Sequence, residues 1–244
     1  MHSLTEADWS VIEALRKSVG ELSKSENLVE ASEGFTKLFA TKFASIVLAR
    51  MFVVVPFSAL PAREQQQARA SKLSHERTND DTLCLCLLGS FGKENAWKDR
   101  RLSVDHLAIP LLDAASVSEA PMIAKLLGDL EVDLRNLATG TSIATRMMVG
   151  GRNGTFYVPD APTAVDAQGR AVIPAEDFVK RFQVKTVFGM GGAYLDGTLV
   201  VAILFTSESL DRLVVDRFPS FISSFKMATA SLVAQGQIFP AATA

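Results

Sequence analysis

The chain has 244 residues, of which 48% are hydrophobic and 21% charged, which supplies apolar material for one large core and argues against global disorder. The formal net charge is -2, with acids and bases interspersed, so the basic face that a nucleic-acid partner requires is missing. The only two cysteines, Cys84 and Cys86, are too few for a disulfide framework or an all-cysteine zinc site. The first ten residues are polar and carry no apolar targeting core, which together with the cysteine usage predicts a reducing, cytoplasmic setting.

Trp9, Ile12, Leu15, Val19 and Leu22 recur at three- and four-residue steps, one apolar face of a helix with Thr5 as its N-cap. A second helical pattern follows Ser25 through Leu28, Ala31, Phe35, Leu38 and Phe39, weakened slightly by Gly34. Ile46 to Leu60 is the most apolar stretch; it is too short to span a bilayer and carries Arg50 and Pro56, so no membrane segment is predicted. Its β-branched part, Ile46 to Val55, reads as a buried strand. Ala62 to His75 is a polar helix with Gln65 to Gln67 on a solvated face, and Thr82 to Leu88 is a short strand ended by Gly89.

Ser90 to Val104 is a polar loop around Trp97, and His106 to Leu112 is a strand that Pro110 confines to an edge or makes irregular. Pro121 opens a helix to about Leu137. Gly150, Gly151 and Gly154 mark a turn before Phe156, Tyr157 and Val158; a long loop, Pro159 to Ala171, leads to a short helix from Pro174 through Phe182. Lys185 to Leu195 and Thr198 to Phe205 are strands joined by Asp196-Gly197, read as a type I′ hairpin turn. A long apolar helical pattern then runs from Leu210 to Val233, where Pro219 must start a new helix or kink this one. Strands and helices do not alternate strictly, so the fold class is α+β.

The segment from Thr186 to Phe205, followed by a long helix, resembles the end of a GAF domain, and the helix after Ser25 feeding Ile46 to Val55 resembles its front. The resemblance covers about residues 25 to 236. It implies an antiparallel sheet backed by helices, with a small-molecule pocket on the other sheet face. Domains are then a 1–24 N-terminal helix and a single GAF-like unit over 25–244. The helical insertion Val117 to Leu137 departs from the family pattern, standing where a hairpin partner for His106 to Leu112 is expected. GAF modules of bacterial signalling proteins sit upstream of kinases, cyclases or transcription regulators, and their terminal helices pair between subunits. The implied function is therefore a sensory module that relays pocket occupancy as a homodimer.

Candidate chemistry is sparse. Trp97, Arg100 and Arg101 combine an aromatic ring with guanidinium forks that suit a phosphate or carboxylate; the alternative is a solvated charged loop anchored by the Trp. His106 could ligate haem iron or a metal, against a structural or solvated role; no second ligand stands at a suitable spacing. Gly189-Met-Gly-Gly192 reads as a bulge or close approach in a strand. Tyr194 beside it completes the ligand-binding set of Trp97, Arg100, Arg101, His106 and Tyr194. Cys84 and Cys86, sharing one strand face, offer a redox alternative or two small core residues. Asp160, Asp166 and Asp177 near Arg170 lack calcium-loop spacing and read as solvated. No nucleophile elbow, phosphate-binding loop, zinc-protease motif or kinase signature is present. No cofactor is specified. The alternatives to a sensor are a small redox enzyme using Cys84 or Cys86 and a ligand-free assembly module.

Overall fold

In the computed structural model, which describes residues 2–74, 78–103, 106–132 and 153–241, six strands form one antiparallel sheet. They are β1 (Ile46–Pro56), β2 (Leu83–Gly92), β3 (Ala108–Pro110), β4 (Gly154–Val158), β5 (Thr186–Ala193) and β6 (Leu199–Thr206), in the spatial order β3-β2-β1-β6-β5-β4. The central strand β1 pairs Val53 with Cys86 of β2 and with Val200 of β6. Between Met51 and Phe52 the register with β2 shifts, so that Leu88 has no directly opposed partner. Ala108–Pro110 is shorter than the strand expected from His106 to Leu112, and it lies at the sheet edge where a proline costs no interior ladder bond.

The helices are α1 (Trp9–Gly20), α2 (Leu28–Lys42), α3 (Ala62–Ala70), α4 (Ala114–Ser118), α5 (Pro121–Asp129), α6 (Glu176–Arg181), α7 (Arg212–Val215) and α8 (Pro219–Ala234) among the described residues. Alternation along β1 divides the core. Ala49, Met51, Val53 and Val55 face α1, α2 and α8, while Leu48, Phe52 and Val54 face α5, α6 and the loop between β4 and α6. Because both faces are covered, the strands read as continuous apolar runs and not as alternating ones. On the helix side Phe35, Phe39, Phe43, Phe218, Phe221 and Phe225 interlock, with Phe39 and Phe221 edge to face at 5.3 Å.

Four expectations are corrected. Asp8, not Thr5, caps α1, accepting from Val11 N–H at 2.9 Å, because Thr5 is drawn to the Glu208 carboxylate at 3.0 Å. The buried stripe of α1 is accordingly Val11, Ile12, Leu15 and Val19, and Trp9 is 72% exposed. The β5–β6 turn is not a type I′ pair: Tyr194 and Thr198 close a three-residue loop, and only Gly197, at φ +89°, is left-handed. Asp196 instead accepts the Thr198 N–H at 2.9 Å. Finally, α5 stops at Asp129, where Glu131 turns left-handed (φ 58°) and Val132 N–H donates to Leu127 C=O, a Schellman-type ending. Residues 133–137 of the expected helix, together with Gly150, Gly151 and His75, lie outside the described residues. Pro219 starts a new helix at its first turn.

Candidate functional site

The sheet face away from α1, α2 and α8 is apolar in all but one place. Leu48, Phe52, Leu85, Leu87, Val201, Ile203 and Phe205 line it, and Leu126, Leu127, Ile173 and Val179 cover it. Arg50 shares this face with Leu48 and Phe52, at the centre of the sheet between Ser90 of β2 and Ile203 of β6. Its Nε–H is buried and has no acceptor, and Nη2 reaches only the Ser103 hydroxyl, at 3.5 Å. No carboxylate among the described residues pairs with it. Burial pushes its pKa down to about 10, which leaves it a cation at neutral pH. Elsewhere in a core a lone charge of this kind is avoided or paired, because its desolvation goes uncompensated.

Beside Arg50, Trp97 folds over the same face. A Cβ on Gly92 would lie 2.8 Å from the indole Cε3, and the Leu48 side chain is next to it. The indole packs on Phe178 and Phe182 at 5.4 and 4.8 Å, and Phe178 packs on Phe205 at 5.4 Å. Ser90 Oγ donates to the Trp97 carbonyl at 2.9 Å, tying the loop to the strand that carries Arg50's partner.

The other nominated residues lie elsewhere. Arg100 is buried and donates to Glu64 of α3 at 2.8 Å and to the Leu87 carbonyl at 3.1 Å. Arg101 is exposed and closes its fork on Asp99, with Nη2 at 2.8 Å; this hydrogen bond lowers the Asp99 pKa. His106 is exposed just before β3. Tyr194 sits in the helix-side core, its hydroxyl 2.6 Å from Thr229 of α8, and burial raises its pKa. Trp97 and Tyr194 are thus on opposite faces of the sheet, and the five residues do not converge. Cys84 and Cys86 are free thiols buried on the helix side. Burial pushes Cys84 up to about 12 and Cys86 upward as well, so neither carries thiolate at neutral pH.

The glycine run in β5 keeps regular register with both neighbours and contains no bulge. It serves close approach instead: a Cβ on Gly191 would meet Leu130 at 2.8 Å, and one on Gly192 would meet Asn153 at 2.5 Å. A cleft of about 430 Å³ opens between α4, α5 and the loop after β4. Its two cations are committed, Lys125 to Asp129 at 2.9 Å and Arg170 to Asp166 and the Ser118 carbonyl. Arg50 is the residue that sequence reasoning passed over. Its signal was present, a single charge inside a β-branched run, but it served only to exclude a membrane span.

Sheet order, helix placement and the covered second face define a GAF-like domain. Among solved structures the chain is similar to the phycocyanobilin-bound GAF domain of a cyanobacterial phytochrome, with a TM-score of 0.50 and 10% identity over 92% of this chain and 96% of that one. It is similar also to the GAF domain of the Acinetobacter phosphoenolpyruvate-protein phosphotransferase, with a TM-score of 0.50 and 13% identity over 96% of this chain and 100% of that one. At such identities the likeness establishes the fold. The sequence matches no protein-family model and no curated protein. No helix among the described residues is long and apolar enough to cross a membrane.

Proposed function

We propose that this chain is a ligand-binding sensory domain whose ligand face is the sheet face carrying Arg50. The observation that carries the reading is the Arg50 guanidinium at the centre of that face, whose buried Nε–H has no acceptor and whose Nη2 has only the Ser103 hydroxyl, at 3.5 Å. In this reading occupancy shifts the segments covering the face, and the sheet transmits the change to α1 and α8. The protein acts as a homodimer through those helices, on which Trp9 and Met227 are 72% and 82% exposed. Its output is a downstream kinase, cyclase or transcription regulator, and its setting is the cytoplasm, where buried free thiols persist.

Native mass spectrometry of the purified protein beside a denatured control tests both parts in one experiment. The expected spectrum is a dimer carrying an additional small mass. A bare monomer at micromolar concentration rejects the reading.

A further inference from the structure

Resting on that sensory reading, we infer that the ligand is a small organic anion whose carboxylate or phosphate group is held by Arg50 and Ser103. The Nε–H and one Nη–H of a guanidinium form a fork matched to two oxygens of such a group, and in Arg50 the Nε–H has no acceptor. Nη2 has the Ser103 hydroxyl at 3.5 Å and nothing shorter. Among the described residues that hydroxyl makes no other hydrogen bond, so its proton can be directed at the same anion. Both charged forks nominated from sequence are closed, one on Glu64 and the other on Asp99, which leaves Arg50 as the open one on this face. Trp97, Phe178, Phe182 and Phe205 pack together on the same sheet face, so an organic body attached to the anionic group would meet an apolar surface there.

Ion pairing with a ligand also explains why a charge is kept here at all. Without an anion, Arg50 should be a liability; with one, it becomes a desolvated, hydrogen-bonded pair. The test is a thermal melt of the purified, dialysed chain with inorganic phosphate, benzoate or phenyl phosphate, alongside Arg50→Met. A probe held at about a hundred times its dissociation constant should raise the wild-type Tm by roughly 5–10 °C. Benzoate or phenyl phosphate should act at lower concentration than inorganic phosphate, and the stronger of the two identifies the anionic group. R50M should lose the shift, and without anion it should melt at or above the wild-type Tm. An R50M protein that melts well below anion-free wild type makes Arg50 a structural residue and overturns the inference. So does a wild type that responds to no probe, or an R50M that responds equally. A second readout needs no variant: the Arg50 Nε–H resonance of wild type should move on adding the active probe, and a fixed resonance counts against the site. A neutral co-purified mass retained by wild type and R50M alike overturns this inference alone and leaves the sensory reading standing.

Discussion

Glu208 shows how one side chain can hold a chain segment. Its carboxylate accepts from Ser3 Oγ at 2.7 Å, Leu4 N–H at 3.0 Å, Thr5 N–H at 3.1 Å and Thr5 Oγ1 at 3.0 Å. Partial burial alone would raise its pKa, but the Ser45 hydroxyl beside it together with these hydrogen bonds outweighs burial and brings it to about 2. A depressed folded-state value means that the contribution is fully present above the ordinary glutamate range, near 4.5, and is lost as pH falls toward 2. Amide exchange of residues 2–7 should therefore accelerate across that window, and Glu208→Gln should reproduce the loosening at neutral pH. The global loss should stay below about 1 kcal/mol, since the carboxylate remains partly in water. Unchanged protection in E208Q would show that the segment is held by Leu4 and Ala7 burial instead. The same contact explains why sequence alone misassigned the cap of α1. Thr5 and Asp8 are both good capping residues, and the choice was made by a partner some two hundred positions away.

Between elements, the Glu64–Arg100 pair fastens α3 against β2. Both side chains are more than nine-tenths buried, and Arg100 also reaches the Leu87 carbonyl. Glu64→Ala would leave a buried guanidinium without its counter-ion and should cost about 3–5 kcal/mol, read from the urea midpoint at constant slope. Replacing both partners with apolar residues should recover most of that loss. Gly89 is a second junction: a Cβ there would lie 2.4 Å from the Ser32 carbonyl oxygen, so Gly89→Ala must push α2 off the sheet, at roughly 1–3 kcal/mol. The elements themselves were largely legible. β1 and β6 announce themselves as runs rich in β-branched residues, and Pro121 and Pro219 mark true helix starts. What failed was local chemistry decided by tertiary contacts. Asp-Gly suggested a two-residue turn, but Leu195 joins the loop and Asp196 bonds forward to Thr198. The candidate site was less legible still, because the orientation of Arg100 and Arg101 depends on Glu64 and Asp99, which no periodicity reveals.

At the scale of the molecule, the two sheet faces have separate duties in the proposed reading. The helix side is a closed aromatic core; its outer surface carries Trp9, Leu213 and Met227, each more than 70% exposed. If those residues join two subunits, Trp9→Ala combined with Met227→Asp should raise the dimer dissociation constant by at least about tenfold, measured by multi-angle light scattering across a dilution series. Equal masses for wild type and variant at every dilution would assign that surface no role in assembly.

The order β3-β2-β1-β6-β5-β4 has a consequence for synthesis as well. As the nascent chain leaves the ribosome, β1 finds β2 early, but its other edge must wait for β6, the last of these six strands to be made. Throughout that interval an apolar, β-branched edge stands open to other chains, the usual template for aggregation. Arg50 is the one charge in that run, and it stands where a charge would oppose strand addition. Its removal should therefore divide two properties that normally move together, giving R50M a higher melting temperature once folded but a smaller soluble yield on expression.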